Sequence, residues 1–136
     1  MFGGILLFLL GLLTGLALPA LPYPRVGLSS HLTGVMNGMF LVLLGLIWGR
    51  LRLGPRAATA AFGLALYGTY ANWGFGLLAA MLGTGRLTPI ASAGRIGSAG
   101  REALVGAGLV SLVVVMVALC ALLLWGLRPG SGSDAA

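Results

Sequence analysis

The sequence predicts an all-α polytopic membrane protein, a bundle of four transmembrane helices, and three observations predict it. Only 7% of the 136 residues are charged, where a soluble domain carries roughly 25%. Hydrophobic residues make up 59% of the chain and the mean hydropathy is +1.07. The apolar residues fall into four long runs separated by stretches rich in Pro, Gly, Ser and Arg. Four spans of about 20 residues each with short connections use up this length, leaving one transmembrane domain over residues 1–128 and a flexible tail over 129–136.

The first span runs from about Gly3 to Leu18 and is closed by Pro19, Pro22 and Pro24, which cannot continue a hydrogen-bonded helix. It has no basic leader and is too long for a signal-peptide core, so it reads as a retained span. Tyr23 and Arg25 suit an interface, and Ser29 or Ser30 offers an N-cap for a second span to about Trp48. Arg50, Arg52 and Arg56 form a tight basic turn before a third span, about Ala57 to Leu82. A longer Gly/Ser/Arg loop leads to the fourth, about Glu102 to Leu127, where Glu102 meets the favourable end of the helix dipole. Cys120, the single cysteine, is expected in the core as a small apolar residue.

Charge narrows the function. The net charge of +6 comes from eight arginines, no lysine and two acids. The arginines lie in loops beside apolar runs, so membrane lipids are the expected partners and nucleic acid is not. Arg50, Arg52, Arg56 and Arg128 stand on one side against Arg25, Arg86, Arg95 and Arg101 on the other. The number is equal, but the density of the first group places both termini in the cytoplasm, with the protein in a bacterial inner membrane. No Asp, Glu, Lys or Arg lies deep in a span. That excludes a carboxylate proton relay, a voltage sensor and a di-iron carboxylate bundle.

The polar residues left inside the spans are His31, Asn37, Tyr67, Thr69, Tyr70, Asn72 and Trp73. On a helix, Gly34 and Gly38 fall within about 60° of His31, whereas Asn37 lies about 120° round and ~9 Å along the axis. His31 as a metal ligand, a flat surface at Gly34 and Gly38, and the amide of Asn37 beside it suit a planar metal cofactor. Thr69, Asn72 and Gly76 share a face of the third span, with Tyr67, Tyr70 and Gly74 on a neighbouring one. One histidine excludes a His-only zinc site and bis-histidine haem, but permits single-histidine haem with an open face. The same residues also have plainer uses: an interfacial histidine, two asparagines joining helices, and aromatics in the core or the interfacial belt.

HLTGVMNGMF resembles the His-x5-Asn-Gly-Met element of the four-span membrane isomerases typified by styrene oxide isomerase. Taken together, GLSSHLTGVMNGMF and LYGTYANW resemble the hydroxylaminobenzene mutases, membrane proteins of about this length. The resemblance implies haem b with a ferric resting iron, His31 as its axial ligand, Asn37 as a substrate-positioning amide and assembly as a homotrimer. It also implies a small aromatic substrate, an N-arylhydroxylamine rearranged to a 2-aminophenol. Asn72, Gly74 and Phe75 match an Asn-x-Gly-Phe element. The epoxide isomerases carry a tyrosine next, where this chain has Gly76. Tyr67 or Tyr70 would then stand in for it, with Asn72 as a second catalytic amide. An epoxide isomerase and a non-catalytic haem-binding membrane protein are the alternative readings.

Overall fold

A computed structural model describes residues 1–128, so the predicted tail falls outside the described residues. The chain forms α1 (Phe2–Leu16), α2 (Pro24–Ile47), α3 (Pro55–Leu82), a single turn α4 (Pro89–Ser92) and α5 (Ala99–Gly126). Short 3-10 segments at Leu18–Ala20 and Trp48–Arg50 follow α1 and α2, and no strand occurs among the described residues. Two stretches, Pro24–Arg50 and Ala99–Gly126, are long and apolar enough to cross a membrane. α1 is apolar but has only 15 residues.

Proline and glycine set the helix boundaries more than serine does. α2 begins at Pro24, earlier than the predicted cap, because proline at a first helical position has the helical φ built in and needs no N–H partner. Ser30, expected as a cap, lies inside α2, and its hydroxyl donates to the Trp73 carbonyl at 2.9 Å. α3 likewise starts at Pro55. It ends at Gly83, whose φ of 67° is a left-handed cap. The Tyr23 ring packs directly on Gly83.

α1 packs on α2, α2 on α3 and α3 on α5, while α1 reaches α3 only lightly. The closest pair is built on glycine. Gly4, Gly11 and Gly15 lie on one face of α1, at spacings of seven and four residues, and α2 repeats the spacing at Gly27, Gly34 and Gly38. A Cβ on Gly11 would lie 2.6 Å from the Val35 nitrogen, and one on Gly4 would lie 2.8 Å from the Gly38 carbonyl oxygen. The two backbones touch, and only residues without side chains allow that.

Between α3 and α5, Gly68 receives Met116, and Phe75 lies over Gly108. One apolar cluster joins Leu7, Leu41, Leu44, Ala61, Ala65 and Leu119; a second joins Val26, Ala79, Ala80 and Val105. Cys120 is not in either, contrary to expectation: it is exposed.

The α3–α5 connection is tied down by one carboxylate. Glu102, buried in the first turn of α5, accepts the amide of Gly85 at 3.0 Å and that of Gly97 at 2.7 Å on Oε1, and that of Arg86 at 3.1 Å on Oε2. Its role is therefore larger than complementing the helix dipole. It supplies acceptors for three loop donors that lack partners of their own.

Candidate active site

Helix α2 carries His31 on the side facing α1. The imidazole Nδ1 lies 2.8 Å from the carbonyl oxygen of Gly11. A carbonyl can only accept, so Nδ1 carries the proton and Nε2 keeps its lone pair. Nε2 makes no hydrogen bond among the described residues. The ring sits against Gly15, where an added Cβ would fall 2.7 Å from Nδ1 and 2.9 Å from Cε1. Gly11 thus sets the tautomer and Gly15 gives the ring its seat.

This arrangement leaves His31 one ring nitrogen with which it could hold a metal. A metal-bound histidine usually donates its other ring N–H to a carbonyl or carboxylate, which holds the ring and raises its basicity. Among the described residues no three His, Cys, Asp or Glu side chains converge, so a metal held by side chains alone has no site there. A metal already carried by a macrocycle needs only the one nitrogen.

Gly34 and Gly38 do not do what their spacing suggests. They share the His31 face, but α1 covers it: a Cβ on Gly34 would lie 2.7 Å from Gly11 Cα and from Trp73 Cδ1, and one on Gly38 would meet the Phe8 backbone. Both glycines are buried by helix packing and leave no bed for a macrocycle. Spacing along one helix identifies a face but not what lies opposite.

The two amides point elsewhere. Asn37 is half-buried on the α3 side of α2, and its Nδ2 donates to the Thr69 carbonyl at 3.2 Å. Thr69, fully buried, returns its own hydroxyl to the Ala65 carbonyl at 2.7 Å. Asn72 lies one turn along α3 from Thr69. It stands between residues that face α2 (Thr69, Gly76) and residues that face α5 (Gly68, Phe75). It is half-buried and makes no side-chain hydrogen bond among the described residues. Asn37 and Asn72 thus come to one level of α3, while His31 faces α1 on another side of α2.

Neither tyrosine has a free hydroxyl. Tyr70 donates to the Gly3 carbonyl at 2.7 Å and ties α3 to α1. The Tyr67 hydroxyl lies 2.8 Å from Ser111 Oγ. Ser111 itself donates to the Gly108 carbonyl, so Tyr67 is the donor in that pair. Nearly half of Tyr67 is exposed, its ring lying open beside α5. Trp73 is half-buried, and its Nε1 donates to Thr14 Oγ1 at 3.0 Å, linking α3 to α1.

Sequence reasoning missed Gly11, Gly15 and Thr14. The signal for the first two was present in the matched seven-and-four glycine spacing of α1 and α2. Thr14 gave none, because its value lies in Trp73, 59 positions away.

Comparison with known proteins places these features in a lineage. The family described as styrene oxide isomerase matches residues 1–128. Hydroxylaminobenzene mutase HabB of Ectopseudomonas oleovorans is 60% identical over 126 residues, covering 92% of this chain and 77% of that protein. Hydroxylaminobenzene mutase HabA of the same organism is 43% identical over 125 residues, covering 91% of this chain and 93% of its own length. No solved structure matches. The fold, the single histidine on its glycine seat and these matches agree: the chain is an isomerase and belongs to the styrene oxide isomerase family.

Proposed function

We propose that this protein is a membrane mutase that converts N-arylhydroxylamines such as hydroxylaminobenzene to 2-aminophenols. The observation that carries the reading is the 60% identity to hydroxylaminobenzene mutase HabB across 92% of the chain. We further propose four spans, α1, α2, α3 and α5, in a bacterial inner membrane with both termini cytoplasmic. The length of α3, 28 residues or ~42 Å, supports this. So does the gathering of arginines at helix ends.

The reaction moves a hydroxyl from nitrogen to the ortho carbon without net redox change. The N–O bond breaks with its electron pair on oxygen, oxygen bonds the ring, and the displaced ring proton is balanced by one gained at nitrogen. Water would trap the electron-poor arene indiscriminately, so the site must be dry.

If haem b binds, His31 would hold it through Nε2, because Gly11 accepts the Nδ1 proton and leaves that nitrogen free. When bound, a ferric haem supplies Lewis acidity at the hydroxylamine oxygen. Asn72, with both amide ends uncommitted, is suited to hold the substrate N–H or O–H. Asn37 has its carbonyl oxygen to offer while its Nδ2 is bound to Thr69. Tyr67 presents a ring face for the arene; Tyr70, committed to Gly3, is suited to a structural role.

His31 lies on the α1 side of α2 and the amides on its α3 side, which supports a site shared between copies, a neighbouring chain bringing its amides to a given histidine. The resemblance to the family supplies the number, a homotrimer.

An epoxide isomerase is the weaker alternative. Its tyrosine position is Gly76 here, where an added Cβ already lies 3.3 Å from Ser30 Cβ, so a phenol would separate α2 from α3. The test is an absorption spectrum of the detergent-purified protein together with parallel assays on hydroxylaminobenzene and styrene oxide. We expect a Soret band and turnover of the hydroxylamine, both lost in His31→Ala. Full mutase activity without bound haem would refute the metal reading; turnover of the epoxide alone would refute the mutase reading.

A further inference from the structure

A cleft of about 290 Å3 opens where the start of α2 meets the α3–α5 connection. It lies far along α2 from the Asn37 level and contains no residue assigned a catalytic role above. Arg25 and Arg95 line it, with Tyr23, Val26 and Ser92. The site is built from both sides. Tyr23 is pinned by its packing on Gly83, and the Arg95 guanidinium lies over the Tyr23 ring at 5.3 Å from its centre. This cation–π contact holds the guanidinium beside the cleft and uses none of its N–H donors. Ala93 and Gly94, at φ 53° and 76°, make the left-handed turn that brings Arg95 back toward α2.

Among the described residues no carboxylate pairs with Arg25 or Arg95. The one nearby acid, Glu102, has its carboxylate occupied by the Gly85, Arg86 and Gly97 amides. Pro24 opens α2, so the Arg25 and Val26 amides of its first turn have no partner within the helix, and both residues line the same cleft. Two arginines and a first helical turn lining one cleft suit an oxyanion. A phosphate offers more acceptor oxygens than a carboxylate and can take donors from both side chains.

We propose that this cleft binds a phosphate oxyanion, as the headgroup of an anionic phospholipid or as a soluble phosphate. The full-length protein, purified in mild detergent, is to be examined by native mass spectrometry with added phosphatidylglycerol, phosphatidylcholine or inorganic phosphate. For the lipid source, phosphatidylglycerol is retained in preference to phosphatidylcholine and inorganic phosphate competes it off. For the soluble source, inorganic phosphate binds alone and the two lipids are retained equally.

In either case Arg25→Gln with Arg95→Gln weakens binding at least about tenfold, the scale expected of two interfacial arginines. Arg25→Lys with Arg95→Lys preserves part of it, and Arg50→Gln with Arg52→Gln, at the other end of the helices, leaves it unchanged. Helicity by circular dichroism confirms that each variant is folded. Binding of neither probe, or binding indifferent to Arg25 and Arg95, overturns the proposal.

Discussion

At the scale of single residues, the two asparagines separate structure from chemistry. Asn37 donates across the α2–α3 contact, whereas Asn72 has no side-chain hydrogen bond among the described residues. Asn37→Ala should therefore cost about 1 kcal/mol of stability, a usual value for one interhelical hydrogen bond in a membrane protein. Asn72→Ala should leave the unfolding midpoint in place yet lower kcat/KM about tenfold or more, the equivalent of one hydrogen bond to the reacting substrate. Unfolding in a denaturing detergent and steady-state kinetics on the same two variants test both claims. Thr14→Val is a third case. It removes the acceptor of the Trp73 indole, and a buried donor left unpaired costs about 1–3 kcal/mol.

At the scale of helices, the α1–α2 pair depends on the absence of side chains. A methyl at Gly34 would meet the Gly11 backbone, which cannot rotate aside as a side chain would. Gly34→Ala should destabilise by about 1–3 kcal/mol, the range for overpacking. It should also shift the Soret band of the loaded protein, because the same contact carries the Gly11 carbonyl that holds His31. Gly63 and Gly74 on α3 meet nothing. Alanine at either should stabilise by about 0.5–1 kcal/mol, and that contrast within one protein is the check. The glycine spacing made close packing legible in the sequence. It did not reveal that the packing would use up the face that the spacing alone suggested as a cofactor bed, because one helix does not show what lies opposite it.

At the scale of the whole molecule, the connection between α3 and α5 is held to the helices by the carboxylate of Glu102. Replacing it with alanine leaves three loop amides without their acceptor. Limited trypsin digestion should then cut after Arg86 or Arg95 much faster than in the native protein; an unchanged cleavage rate would deny Glu102 this role. The assembly has its own test. Because His31 and the amides face different sides of α2, co-expressed His31→Ala and Asn72→Ala chains should recover activity that neither possesses alone. No recovery would place the complete site within one chain.

Composition and hydrophobic runs by themselves determined the helical class, the apolar surroundings and the approximate course of each long helix, since these depend only on local chain properties. The single histidine and its glycine neighbours were equally plain in the primary order. What only the tertiary structure decided was which atoms face one another: that Gly11 receives the His31 proton, that Thr69 takes Asn37, that Tyr70 is spent on Gly3. Those pairings join positions 20 to 67 residues apart, and no local propensity encodes them. They arise when backbones close enough to touch leave each polar group a single partner within reach.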